Sequence, residues 1–450
     1  MKLLFKNKFF QASNLKNKHF LALVGNGIIS VFSVLTIFVL YRALEKTEIG
    51  TWFFFITCIG LADSIRNGFL TTATVKFYAG TSPERGREVL GSVWFLASAI
   101  TAVALLANAI ALPFVQYIHK PEMKIVIQWF GITYLSTLPT TVAAWILIAD
   151  EDYLKMLWLR FINSGSMIGL ILVYIFLHKG SLQNILIINL FTNCLTSAVI
   201  VLQGLSKFQT LRYRSKSTIL ELVQFGKYSL ATNASTNLLG SANTFIITFF
   251  LGPAALAVYN LPQRLMEFIE IPLRSFVGTG LSAMAAAHNN KQTHMVSYIS
   301  KKYAGMLTLA FIPISLVAFV GADLATQLLG GSKYIGTEAP NILRIFMFIA
   351  ILYPIDRFNG ITLDVINHPK VNFYKVLIMM VVNISTGIGG ILLLHNLYGV
   401  ALATPFTLLA GLLFGYHHLK KHLKGYSFRG IIRTGIIETK LLLNKLLHKK

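Results

Sequence analysis

Residues 260–274 read Asn260-Leu261-Pro262-Gln263-Arg264-Leu265-Met266-Glu267-Phe268-Ile269-Glu270-Ile271-Pro272-Leu273-Arg274. They lie within Phe249 to Ala287, a stretch of mostly apolar chain broken by a short turn at Gly252-Pro253. At about 100° per residue, Asn260, Gln263, Arg264, Glu267, Glu270 and Arg274 fall in an arc of about 120°. The rest of that helix surface is apolar. A central Arg or Asp costs roughly 2.5–3.5 kcal/mol on insertion scales. Four such charges facing lipid would cost about 10–14 kcal/mol, comparable with a whole domain's stability of roughly 5–15 kcal/mol. The stripe must therefore face protein or water.

The rest of the chain sets this helix in a membrane. Apolar residues make up 55% of the 450 and charged residues 13%, and mean hydropathy is +0.64. Ordinary soluble proteins carry roughly 25% charged residues. Continuous apolar runs of about twenty residues recur, each long enough to cross a hydrocarbon core of about 30 Å. The strand alternation of a β-barrel is absent. The fold class is all-α membrane, with twelve expected spans at about 19–41, 49–72, 89–113, 125–149, 154–177, 183–204, 224–251, 254–285, 303–321, 339–365, 372–394 and 397–419.

The net charge of +23 does not signal nucleic acid, because the Lys and Arg sit between apolar runs and at the two ends, as topology signals do. With the N-terminus inside, cytoplasmic segments hold about 27 Lys and Arg, Lys370 and Lys375 among them, and external segments about six. Both termini are expected to be cytoplasmic. The first apolar run is too long for a signal-peptide core and is read as a retained span. Cys58 and Cys194 lie in apolar runs and read as packing residues. No spacing suggests a metal site, a P-loop, a Rossmann glycine set or a hydrolase elbow, so neither enzyme chemistry nor a cofactor is expected.

The sequence also repeats. Aligning Leu44 with Leu251 sets Trp52 against Tyr259, Asp63 against Glu270 and Asn67 against Arg274. Independently, Pro139 aligns with Pro354, and Thr141 then meets Asp356. The expected organisation is a cytoplasmic amphipathic segment (1–18), a six-span lobe (19–204), a basic cytoplasmic linker (205–223), a second six-span lobe (224–420) and a basic tail (421–450). Apolar residues such as Ile431, Ile432 and Ile436 make the tail an expected amphipathic helix on the inner leaflet. Parallel repeats of this kind place a substrate site between the halves near the membrane midplane.

Intramembrane charges are functional candidates. Arg66, Arg264, Arg274 and Arg357, with Asn260, are candidates for holding an anionic ligand, because a guanidinium matches phosphate oxygens and stays protonated. Asp63, Glu267, Glu270, Asp356 and Asp364 are candidates for balancing that charge or binding H⁺ or Na⁺. The opposing reading is that Asp63–Arg66, Arg264–Glu267 and Glu270–Arg274 pair along their own helices.

Three segments carry a family resemblance. Leu44-Glu45-Lys46-Thr47-Glu48-Ile49-Gly50-Thr51-Trp52 opens span 2. Leu251-Gly252-Pro253 through Asn260, followed by Arg264, opens span 8. Leu328-Leu329-Gly330-Gly331-Ser332-Lys333-Tyr334 leads into Asn341-Ile342-Leu343. Over residues 19–420 the chain resembles the multidrug/oligosaccharidyl-lipid/polysaccharide (MOP) exporter superfamily, in its bacterial polysaccharide-flippase (Wzx-like) branch. The resemblance implies two six-helix lobes forming a V-shaped cleft in the bacterial cytoplasmic membrane. It implies transfer of an undecaprenyl-diphosphate-linked oligosaccharide from inner to outer leaflet by alternating access, for surface polysaccharide assembly. Membrane lipids, a polysaccharide polymerase and glycosyltransferases are the implied partners, and Arg66, Arg264 and Arg274 the implied diphosphate contacts. Two other functions are compatible with the residues. One is a cation-coupled multidrug exporter of the same superfamily, against which stands the parity of Arg with acid in spans 2, 8 and 10. The other is a non-transporting membrane scaffold.

Overall fold

The computed structural model describes residues 18–177, 180–423 and 425–447. The amphipathic N-terminal segment expected over 1–18 lies almost wholly outside them. The described chain is helical: α1 (Lys18–Ala43), α2 (Lys46–Tyr78), α3 (Pro83–Ala111), α4 (Pro121–Ser136), α5 (Leu138–Ala149), α6 (Tyr153–Arg160), α7 (Ser166–Leu177), α8 (Leu182–Leu202), α9 (Lys216–Leu251), α10 (Pro253–Asn289), α11 (Thr293–Val320), α12 (Ala322–Gly330), α13 (Ala339–Ala350), α14 (Tyr353–Val365), α15 (Pro369–Leu394), α16 (Leu397–His422) and α17 (Phe428–Leu447). A π-helical turn, Phe161–Gly165, joins α6 to α7.

Among the described residues seven helices or continuous helix runs are long and apolar enough to cross a membrane, nine if each of two bent pairs is one span. The bent pairs are α4–α5, at 43°, and α13–α14, at 51°. Each bend immediately precedes a proline near the start of the second helix, Pro139 and Pro354, the two residues aligned by the internal repeat. Proline lacks the N–H that would continue the ladder, so the break falls where sequence puts it. α1, α9 and α10 stand where spans 1, 7 and 8 are expected and are outside the nine; α10 carries four charges between 264 and 274.

The chain forms two compact units that part between Ala234 and Ser235, inside α9. In unit 1, the opening of α2 is capped by its own sequence. The Glu45 N–H donates to Glu48 Oε2 (3.0 Å), and Glu48 Oε1 accepts from the Leu182 N–H (3.1 Å), tying the start of α8 to the start of α2. Leu70, Val89, Val93, Trp94, Trp145 and Ile146 form the core. The segment after α8 is strapped along α3. Trp94 Nε1 donates to the Ser206 carbonyl at 2.7 Å, and its ring meets Phe208 edge-on at 5.0 Å. A side chain at Gly91 would meet the Thr210 carbonyl oxygen at 2.3 Å, so only glycine permits this approach. Arg85 then donates to Thr218 (2.6 Å) and Glu221 (2.5 Å), fastening the first turns of α9. Outside the spanning helices, Lys207 contacts the Tyr78 hydroxyl at 2.6 Å and Asp150 at 3.1 Å. Burial opposes its charge, but the Tyr78 and Asp150 oxygens outweigh that and hold its ammonium above the ordinary lysine value.

At the middle of unit 1 lies Arg66, with none of its surface exposed. Its Nη2 is 2.5 Å from Asp63 Oδ1, 2.8 Å from Thr137 Oγ1 and 3.2 Å from Thr141 Oγ1. Its Nη1 reaches Thr101 Oγ1 at 3.3 Å. Each of these threonines donates its own hydroxyl hydrogen to a carbonyl of its own helix, Tyr134, Thr137 and Ala97 respectively. Their oxygens are thereby left as acceptors for the guanidinium. The Tyr134 ring lies 4.4 Å from the Arg66 carbon, adding a cation–π contact. Arg66 thus ties α2 to α3 and to both halves of the broken helix α4–α5.

In unit 2, Met284, Val296, Phe311, Phe358, Leu363 and Leu419 belong to one core. The tail helix α17 is docked on α11. A Cβ at Gly305 would meet the Ile431 carbonyl at 2.3 Å, and one at Gly435 would meet the Gly305 carbonyl carbon at 2.5 Å, so the two backbones touch. Glu438 pairs with Lys302 and accepts from the Tyr298 hydroxyl. Arg429, Arg433, Lys440, Ile432 and Ile436 remain exposed. The tail expected as a surface helix therefore also has a tertiary partner.

Two outcomes are expected. Arg66→Met strands the Asp63 charge and lowers unfolding stability by about 3–5 kcal/mol, whereas Arg66→Met with Asp63→Asn recovers most of it; thermal unfolding in detergent compares them. Gly435→Leu expels α17 from α11, and limited proteolysis then cuts at Arg429 and Arg433 several-fold faster than in the wild type.

Candidate functional site

α10 begins at Pro253, after Gly252 with φ 86°, and carries Pro262 and Pro272 inside it. Each internal proline removes one backbone donor and frees a carbonyl one turn earlier. Between and just after these prolines lie two ion pairs. Arg264 Nη1 is 2.6 Å from Glu267 Oε1, with side chains 28% and 49% exposed. Arg274 Nη2 is 3.0 Å from Glu270 Oε2, with side chains 64% and 36% exposed. Both pairs close within about one helical turn. The stripe expected from sequence is present, paired along its own helix and open to its surroundings. Asn260 is different: it is 5% exposed, and its amide donates to the Leu256 carbonyl at 3.1 Å.

The other expected site residues divide. Asp63 and Arg66 are committed to the core of unit 1, so the Arg66 guanidinium has acceptors already and presents no surface. In α14, Arg357 and Asp364 are exposed. Asp364 accepts twice from Asn372 Nδ2, at 3.1 and 2.9 Å. Asp356 turns inward, where Lys375 Nζ lies 2.6 Å from its Oδ1 and donates to its carbonyl at 3.0 Å. Lys375 is 3% exposed. The topology count from sequence places it in a cytoplasmic segment, but Pro369 starts α15 early enough that Lys375 falls inside the helix on its packed face. The signal was available: Phe373-Tyr374-Lys375-Val376-Leu377 puts one cation in an apolar run.

Beside the Asp356–Lys375 pair, Asn359 is fully buried and its Oδ1 accepts from the Tyr426 hydroxyl at 2.7 Å. Thr101, Tyr134, Thr137 and Thr141 are also functional in the sense of holding charge, and sequence reasoning singled out only Thr141, through the repeat. Among the described residues no three His, Cys, Asp or Glu side chains converge as metal ligands. The chemistry available on α10 is electrostatic: a half-buried guanidinium at Arg264 and an exposed one at Arg274, each balanced by a carboxylate.

The chain shares its fold with solved transporters. It is similar to an inward-facing multidrug resistance MATE family transporter of the MOP superfamily, with TM-score 0.71 and 15% identity, covering 89% of this chain and 98% of that one. It is similar to the lipid II flippase MurJ in an inward closed conformation, with TM-score 0.74 and 14% identity, covering 96% and 93%. A MOP superfamily transporter from Pyrococcus furiosus matches with TM-score 0.59 and 16% identity over 89% and 94%. No curated protein matches the chain in sequence. The family model described as polysaccharide biosynthesis protein matches residues 39–338. With that match over most of its length and this transporter fold, the chain belongs to the polysaccharide biosynthesis protein family.

Proposed function

We propose that the protein is a flippase that carries an undecaprenyl-diphosphate-linked oligosaccharide from the inner to the outer leaflet of a bacterial cytoplasmic membrane. Twelve spans in two six-helix lobes, 19–204 and 224–420, with both termini cytoplasmic, enclose a V-shaped cleft and alternate its access. The carrying observation is the contrast between two kinds of intramembrane charge. Arg66 and Lys375 are sealed in their units, whereas Arg264 is partly and Arg274 largely exposed on a membrane-length helix. Charges exposed at that depth are stable only beside water or a polar ligand. A diphosphate satisfies guanidinium forks, and Glu267 and Glu270 keep the empty site from carrying an unbalanced positive field. Membership of the polysaccharide biosynthesis family and the fold shared with a lipid II flippase support a lipid-linked sugar as the cargo. Arg357 is a further contact, and Arg66 holds its lobe together rather than touching cargo. The exposed cations are at odds with an exporter of organic cations.

The test is reconstitution in proteoliposomes with a lipid-linked oligosaccharide, with transfer read by access of an added glycosidase. Charge-assisted hydrogen bonds contribute about 1.5–3 kcal/mol each, so Arg264→Ala and Arg274→Ala should each slow transfer about tenfold or more. Unchanged transfer at normal protein levels would sink the role of the α10 arginines.

A further inference from the structure

Asp356 and Lys375 form a site with the oxygen complement of an alkali-metal site. The ammonium lies 2.6 Å from Asp356 Oδ1, yet that oxygen makes no aligned hydrogen bond. The directed bond goes instead to the Asp356 backbone carbonyl, at 3.0 Å. Asn372 donates both its bonds to Asp364, which turns its amide oxygen the other way. That oxygen and Lys375 Nζ both face the point a Gly360 Cβ would occupy, at 3.0 and 3.6 Å. Two more glycines clear the space. A Cβ at Gly411 would lie 3.0 Å from Asp356 Oδ1, and one at Gly415 would lie 3.6 Å from Lys375 Cδ. A carboxylate, a main-chain carbonyl and an amide oxygen are the ligands of hard cations. Here the positive charge is delivered on a four-carbon stem to the first two, both from Asp356, with the amide oxygen across the gap that Gly360 leaves open.

We infer that Lys375 is a tethered cation occupying an alkali-ion site in unit 2, so that this unit is filled without Na⁺. The site is built for a monovalent cation, and the lysine makes the cation part of the chain. A carboxylate buried in a membrane helix needs a counter-charge. Most of the ammonium's contacts with Asp356 are electrostatic, so a small bare cation can replace it once it is removed. The inference is independent of what lipid the protein carries, because its readout is stability rather than transfer.

The experiment is thermal unfolding of the purified full chain in detergent, titrated with NaCl against choline chloride at constant ionic strength. The wild type is expected to show no rise specific to Na⁺. Lys375→Met is expected to melt lower in choline and to recover by several degrees as Na⁺ is added, saturating like a binding site. Lys375→Met with Asp356→Asn is expected to lose that response. A Na⁺-specific rise in the wild type overturns the inference, as does folded Lys375→Met with no Na⁺ response. Where Lys375→Met does not fold in choline, Lys375→Gln is titrated in the same way. Failure of both variants to fold even in Na⁺ also overturns it, since a vacated cation site must accept the ion.

Discussion

A guanidinium with no exposed surface dictates how unit 1 is put together. Arg66 is a cation with none of its surface exposed, so its charge must be met by the chain itself. Asp63 supplies the opposite charge from the same helix. Three threonines, turned into acceptors by donating to their own carbonyls, supply the rest. Thr137 stands at the bend between α4 and α5 and Thr141 one turn beyond it, so the break that Pro139 introduces lies where the acceptors gather round one guanidinium. Unit 2 solves the same problem at its own broken helix, where Asp356, the residue aligned with Thr141, holds Lys375. The repeat thus keeps the place of the buried cation's partner while changing which helix brings the cation.

α10 handles charge by a different rule. Its four ionisable side chains pair with one another within about a turn, at spacings of three and four residues. A helix balanced in this way can enter a membrane without a prearranged partner. It can also give up its internal pairs singly when a competing anion arrives, because breaking an exposed pair costs little. Arg66 lacks that freedom: removing any one of its acceptors leaves a buried charge short. Sealed charges hold the units, and the charges on α10 pair locally.

Much of this was legible in the sequence. Continuous apolar runs mark the helices because lipid tolerates nothing else, and Pro139 and Pro354 mark the bends because a missing N–H has a fixed effect. The α10 stripe follows from helical period, which also allows its i,i+3 and i,i+4 pairs without deciding that they form. The burial of Lys375 was not legible, because counting Lys and Arg by loop treats a cation near a helix start as a surface charge, whereas the glycines that admit it come from two other segments. The threonine acceptors round Arg66 were hidden for a related reason: a hydroxyl's role depends on where its hydrogen goes, which is settled by tertiary contacts. The strap of residues 206–221 on α3 looks like an ordinary basic linker until Trp94 and Gly91 are seen beneath it.

The contact of α17 with α11 has a consequence for how the chain is made. Gly305 and Gly435 touch backbone to backbone, yet the second is synthesised only after five further helices have left the ribosome. At ordinary rates of translation that wait is on the order of ten seconds. Throughout it, the groove on α11 has no partner in the chain, and the Tyr298 and Lys302 side chains have no Glu438 to meet. A nascent chain cut short before residue 435 would keep that groove open for good, giving quality-control machinery a mark by which to tell an unfinished molecule from a finished one.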